Sequence, residues 1–118
     1  MSGIFTKNQI DNITTHWGND FYLKIRREVR LYAEKWKLSD VKFHEYYSVN
    51  AIFFCESEYF GNCVLKIGGD CQDYEFLSEY NMLCEYNGRR LAHVYDADID
   101  ISKRKKVMLI ERFTPAQC

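Results

Sequence analysis

Hydrophobic positions in the first third of the chain recur at the spacing of an amphipathic helix. A short helix is predicted over residues 6–16, and a longer one over residues 20–36 with Asn19 or Asp20 as its N-terminal cap. In the longer helix, spacings of four, four, three and four place the apolar side chains on one side; they are Phe21, Ile25, Val29, Tyr32 and Trp36. Charged residues occupy much of the remaining surface. We therefore expect this helix to pack on the domain through its apolar side.

From residue 39 the pattern changes to a period of two, which is typical of β-strands. Apolar and polar residues alternate over residues 39–49, and short apolar stretches follow at residues 51–56 and 63–67. The Gly61-Asn62 pair predicts a tight hairpin into the last of these stretches. The pattern therefore predicts three strands in a meander.

The second half of the chain predicts one helix and two more strands. The helix spans residues 71–86 and ends at Asn87-Gly88, because glycine adopts the left-handed conformation without steric cost. The strands span residues 91–97 and 106–113, joined by a polar segment. The predicted fold class is α+β, a five-stranded antiparallel sheet with a helix between strands 3 and 4, preceded by two helices. We interpret residues 1–38 as a helical segment packed on a domain formed by residues 39–118.

The length, composition and charge of the chain limit the classes of protein to which it can belong. A chain of 118 residues is long enough for one modest core. Its 16 Lys and Arg residues balance 17 Asp and Glu residues, for a net charge of -1, which argues against a nucleic acid or an acidic membrane surface as a charge-driven partner. The apolar stretches are far shorter than the roughly 20 residues of a transmembrane helix. We expect neither nucleic-acid binding nor a membrane-embedded protein.

The cysteines favour a structural role in a reducing compartment. There are five of them, an odd number, and no C-x-x-C pair occurs. The three histidines do not lie near them in sequence, as the ligands of a zinc site would. Because the N-terminus also lacks the apolar core of a signal peptide, we expect a cytoplasmic protein.

Two charged positions are candidates for chemistry. If Leu65 and Ile67 face one side of the third strand, Val64 and Lys66 face the other, so a cationic side chain emerges beside a small apolar one. On the following helix, Glu75 and Glu79 lie close to one face, and a glutamate there could reach back to Lys66. Such a pair would position the ammonium to bind phosphate oxygens. The simpler interpretation is a surface lysine and a solvated helix face.

The chain also resembles a known family in four segments taken in order. They are V-L-K-I-G, a helix ending E-x-x-x-L-x-x-Y-N-G, R-R-L-A-H-V-Y-D-A-D and V-M-L-I-E-R-F-T-P. Over residues 39–115 these resemble the amino-terminal lobe of small-molecule phosphotransferases of the aminoglycoside and hydroxyurea resistance kinase family. The resemblance implies a protein-kinase-like fold and binding of ATP or GTP with Mg²⁺. The glycine-rich G-x-G-x-x-G loop of protein kinases is absent from the sequence.

The resemblance also implies roles for individual residues. Lys66 would contact the α- and β-phosphates, held by Glu79 or alternatively Glu75, and Ser48 would lie in the loop that covers the phosphates. The remaining candidates would surround the base: Ile52 and Val64 above it, Ile110 beside the hinge, and Glu111 and Phe113 at its edge through backbone groups.

The family's catalytic aspartate and its Mg²⁺ ligands lie in a carboxyl-terminal lobe, and no residue of this chain is assigned to those roles. We therefore expect a nucleotide-binding lobe that is truncated and inactive alone, with a homodimer formed through the face that the second lobe would cover. Two other interpretations stay open. One is a stand-alone binding or regulatory module without catalysis, and the other is a structural α+β domain in which the lysine and glutamate are coincidental.

Overall fold

In the part of the chain that the structure describes, three helices and five strands follow one another in the predicted order. The structure, a computed structural model, describes residues 5–44, 50–69, 73–86 and 92–112. The elements within these ranges are α1 (Lys7–Trp17), α2 (Asn19–Lys35), β1 (Leu38–His44), β2 (Asn50–Ser57), β3 (Gly61–Gly68), α3 (Asp73–Tyr86), β4 (Val94–Asp100) and β5 (Lys105–Glu111), with a single 3₁₀ turn (Ile101–Lys103) between the last two strands.

The strands form one sheet in the order β1-β2-β3-β5-β4, and every neighbouring pair is antiparallel. The first three strands are joined as a meander. After β3 the chain passes through α3, and β5 rather than β4 pairs with β3. The α+β fold class, with a helix between strands 3 and 4, is confirmed.

One face of the sheet is sealed by α2. The predicted apolar stripe of this helix is confirmed, since all five of its members are buried. They join a single core with the inward-facing residues of the three central strands, which include Phe53, Leu65 and Val107, each 0% exposed. Burial of this kind contributes about 25 cal/mol for each Å² of apolar surface, so this face supplies much of the stability of the domain.

The N-terminal ends of the two first helices differ in how they are capped. In α1, Thr6 and Gln9 form a reciprocal capping box, with each side chain bonded to the other's backbone N–H. The cap of α2 is Gly18, with φ of 96° and no side-chain hydrogen bond. The prediction of Asn19 or Asp20 as the cap was wrong, because the left-handed backbone between the two helices requires glycine one residue earlier.

Strand β4 lies three residues further along the chain than predicted. It runs through Asp96, which was predicted to lie in the strand, and continues through Asp98 and Asp100, where the sequence favours a polar linker because aspartate is depleted in strands. Two of these carboxylates accept hydrogen bonds from Tyr32 of α2 and from Trp36, the residue that follows the helix. The Tyr32 hydroxyl donates to Asp98 Oδ2 at 2.6 Å, and the Trp36 indole N–H donates to Asp96 Oδ2 at 2.8 Å. Hydrogen bonds from the other side of the core therefore satisfy Asp96 and Asp98 within the strand.

The hairpin between β2 and β3 also differs from its prediction. Ser57 pairs with Gly61, so the connection is residues 58–60 rather than a turn at Gly61-Asn62. Gly61 begins β3 with φ of 79°, the left-handed conformation that closes a three-residue hairpin loop.

In the ranges that the structure describes, no helix is long and apolar enough to cross a membrane.

Candidate functional site

Lys66 emerges from the middle of β3 on the side of the sheet away from α2. Its neighbours in the strand, Leu65 and Ile67, are both 0% exposed in the core beneath α2. Because side chains alternate along a strand, Lys66 and Val64 point to the opposite face. The predicted orientation of these two residues is confirmed. We call this side of the sheet the α3 face.

A carboxylate from α3 meets the lysine there. Lys66 Nζ lies 2.8 Å from Glu79 Oε1 and 2.8 Å from Glu79 Oε2, so the ammonium donates to both oxygens. Only 13% of the Lys66 side chain is exposed, against 36% for Glu79. Glu75, the alternative partner, is exposed one turn earlier on the same helix. The predicted ion pair is therefore present, and Glu79 rather than Glu75 forms it.

The helix holds Glu79 in place through the residues on either side of it. Phe76 and Leu83, three before and four after, are 2% and 6% exposed and pack with Met108 of β5. Close approach of α3 to the sheet also depends on Gly68, where an added Cβ would lie 3.2 Å from the Phe76 ring and 3.0 Å from Lys106 Cβ. The glutamate is thus fixed by packing on both sides, and the ammonium is fixed by the glutamate.

Apolar side chains surround the ion pair in two rows across the sheet. Ile52 lies directly opposite Lys66 on β2, and Val64 lies opposite Ile110 on β5. All three apolar residues are half-buried, unlike the residues beneath α2. The structure therefore brings four predicted site residues, Lys66, Ile52, Val64 and Ile110, to one face, with Glu79 reaching them from α3.

Two residues at this face were missed by sequence reasoning. Phe54 pairs with Val64 in the same row, and the Arg112 guanidinium carbon lies 5.5 Å from the centre of the Phe54 ring. Arg112 also donates to Asn62 Oδ1 at 3.2 Å. The period-two pattern places Phe54 on the face of Ile52, which was the available signal. Arg112 follows β5, and no pattern in the sequence indicates its contact.

The remaining predicted residues have different outcomes. Glu111 ends β5, where its backbone N–H donates to the His93 carbonyl at 2.8 Å and its carboxylate accepts the His93 N–H at 3.2 Å. These two hydrogen bonds hold His93, which precedes β4, against the end of β5. Ser48 and Phe113 lie outside the described residues, so their predicted roles in covering the phosphates and holding the base stay predictions.

The described cysteines include a closely packed pair on the α2 side of the sheet. Cys55 and Cys63 are cross-strand partners, 1% and 0% exposed, with sulfur atoms 3.5 Å apart. The shared hydrogen bond, with burial, raises the pKa of the Cys55 thiol. Neither thiol contacts the ion pair. Within the part of the chain that the structure describes, no cluster of three His, Cys, Asp or Glu residues is arranged to hold a metal ion.

Comparisons with family models, with curated proteins and with solved structures found no match to this chain. The case for a function therefore stands on the sequence motifs and on the geometry of the α3 face.

Proposed function

We propose that the α3 face binds a purine nucleotide, ATP or GTP, in the manner of a kinase amino-terminal lobe. The observation that carries the proposal is the Lys66–Glu79 pair, with both carboxylate oxygens 2.8 Å from one ammonium. In protein kinases a strand lysine and a helix glutamate form such a pair, and the lysine contacts the nucleotide phosphates. The same two elements, the third strand and the helix after it, supply the pair here.

The chemistry of the pair suits phosphate binding. An ammonium has three N–H donors and no acceptor, and the two contacts with Glu79 leave a third donor for a phosphate oxygen. The glutamate fixes the position of the positive charge, so little conformational freedom is lost when a phosphate arrives. A lysine held this way acts as a positioned charge and requires no change of protonation.

The apolar residues beside the pair suit a base. Ile52, Val64 and Ile110 are half-buried side chains on the face where the ammonium emerges. Planar purine rings are bound through apolar side chains above and below, with a small number of polar groups at the edge. The proposal concerns nucleotide binding and assigns no step of phosphoryl transfer to residues of this chain.

The test is a calorimetric titration of the protein with MgATP and with MgGTP, which measures the affinity for each nucleotide. Lys66→Ala removes the charge that meets the phosphates and is expected to weaken binding at least tenfold. This corresponds to a loss of about 1.4 kcal/mol in binding free energy. Lys42→Ala is the matched control, because Lys42 is a lysine of the same sheet whose side chain is 75% exposed. It is expected to bind within twofold of the unaltered protein.

Equal affinities for the unaltered protein and Lys66→Ala would contradict the proposal. Absence of saturable binding of both nucleotides at millimolar concentration would contradict it as well. In that case the ion pair is an element of the fold, as in the structural α+β interpretation.

A further inference from the structure

A second candidate site lies on the α2 side of the molecule, beside the connection between β4 and β5. A cavity of ≈ 400 Å³ opens there, and five of its eight lining residues are basic. Two come from α2, and three are consecutive from the end of the connection into the start of β5: Lys24, Arg27, Lys103, Arg104 and Lys105. The cavity is separate from the α3 face, where Lys66 and Glu79 meet.

The concentration of charge does not follow from composition. The chain as a whole has a net charge of -1, yet five of its 16 basic residues line this one cavity. The acidic groups beside them are fewer. Glu28 is one lining residue, and Asp98 lies 3.8 Å from Lys105 Nζ while also accepting the Tyr32 hydroxyl. Asp100 is a third acidic group, beside Lys103 and opposite Lys105 in the strand pair. Five positive charges against these three negative ones leave a local excess of two, which attracts anions.

The backbone of the connection turns sharply at one of these basic residues. Arg104 has φ of 57° and ψ of 37°, the left-handed conformation, with its N–H donating to the Ile101 carbonyl at 3.0 Å. Glycine or asparagine adopts this conformation most readily, whereas other residues are strained in it. Strain at a non-glycine residue is a common mark of a functional segment. Here it places a run of three cations around one tight turn.

The lining side chains identify the class of ligand. Arg27 and Arg104 carry planar guanidinium groups that form paired hydrogen bonds with phosphate oxygens, and the lysines add point charges. A volume of ≈ 400 Å³ falls in the range of small-molecule sites. Leu31, which is 53% exposed, gives the cavity one apolar wall. We propose that this cavity binds a small anion that carries two or more phosphate groups.

The probe is inorganic tripolyphosphate, titrated into the full chain at about 50 mM salt, where exposed charges are weakly screened. Binding at this cavity is expected to saturate at one anion per chain. The variant Arg27→Gln with Arg104→Gln is expected to bind at least tenfold more weakly. Arg26→Gln is the matched control, since Arg26 is an exposed arginine of α2 that does not line the cavity. It is expected to bind within twofold of the unaltered protein.

A single substitution separates binding from folding. Arg104→Gly removes one guanidinium and relieves the left-handed strain, so it is expected to raise the melting temperature while weakening tripolyphosphate binding severalfold. A variant that loses affinity while gaining stability cannot owe the loss to unfolding.

Three results would overturn the proposal. One is an equal loss of affinity in Arg26→Gln, which would indicate diffuse surface charge. Another is binding without saturation, or affinity that rises steadily with the length of longer polyphosphates, as for a surface that binds polymers such as RNA. The third is loss of tripolyphosphate binding in Lys66→Ala, which would place the anion on the α3 face.

Discussion

The two faces of the sheet are built from the same strands and differ in how completely they are covered. Toward α2, the inward residues of the central strands are sealed from water, and Phe53, Leu65 and Val107 are each 0% exposed. Toward α3, the alternate residues Ile52 and Val64 keep partial contact with solvent. A lysine also emerges on this second face, and its charge is held by a glutamate.

The degree to which each face is covered decides whether its residues mainly stabilise the fold or remain accessible to a ligand. Apolar surface that is completely buried contributes fully to folding, and it presents nothing to a ligand. A face that is half-covered, with a fixed charge among apolar side chains, contributes less to folding and keeps surface that a ligand can bury. In this chain one helix provides the first condition and another helix, which packs over β4 and β5, provides the second.

The largest expected effect compares two adjacent residues of β3. Leu65→Ala leaves a cavity beneath α2 and is expected to lower the free energy of unfolding by about 2–5 kcal/mol. Val64→Ala, on the half-exposed α3 face, is expected to cost about 1 kcal/mol or less. Urea denaturation of both variants measures the difference. Equal costs would mean that the α3 face is as tightly packed as the α2 face.

The next effect concerns the ion pair and compares two glutamates of α3. Glu79→Gln removes the charge that faces a largely buried ammonium and is expected to cost about 1–2 kcal/mol. Glu75→Gln, at an exposed position one turn away, is expected to change stability by about 0.5 kcal/mol or less. Urea denaturation again gives both values. If the two substitutions have the same effect, Glu79 is a solvated surface residue and the pair does not fix Lys66.

A smaller effect tests how α2 is fastened to the sheet. Burial, followed by the hydrogen bond to Asp98, raises the pKa of the Tyr32 phenol above its usual value of 10.0. Below pH 10 the phenol is protonated in both the folded and the unfolded chain, so this stabilisation is fully present. Above pH 10 the unfolded chain loses the proton first, and the folded state loses stability as the pH rises.

Thermal unfolding followed by circular dichroism between pH 8 and pH 11 tests this dependence. Tyr32→Phe is expected to cost about 1 kcal/mol at pH 8 and to show a shallower loss above pH 10. Tyr59→Phe, at a residue that is 60% exposed, should keep the pH profile of the unaltered protein. An unchanged profile in Tyr32→Phe would show that this phenol does not contribute.

Periodicity in the sequence was enough to predict most elements, because residues buried on one side recur about every 3.6 positions in a helix and every two positions in a strand. The stripe of α2 and the opposed directions of Leu65 and Lys66 follow from it. The end of β4 could not be predicted this way, since Asp98 and Asp100 extend the strand beyond residue 97, and Asp98 is bonded there by the distant Tyr32 hydroxyl. Contacts between distant parts of the chain decided that boundary.

The candidate sites were predictable to different degrees. The Lys66–Glu79 pair follows from a motif whose two members are 13 residues apart on consecutive elements. The cationic cavity does not, because Arg27 and Arg104 come together only through the packing of α2 beside the end of the sheet. In the sequence, the basic residues of α2 and those at residues 103–105 each have the pattern of an ordinary solvent-exposed charged surface.

The most direct test of nucleotide binding on the α3 face is methyl NMR of the protein titrated with MgATP. Nucleotide binding there is expected to give saturable shifts of the Ile52, Val64 and Ile110 methyl groups, which are lost in Lys66→Ala, whereas the methyl groups of Leu65 and Val107 beneath α2 stay unchanged. Shifts confined to Leu31 at the cationic cavity, with the three α3-face methyl groups unmoved, would contradict it.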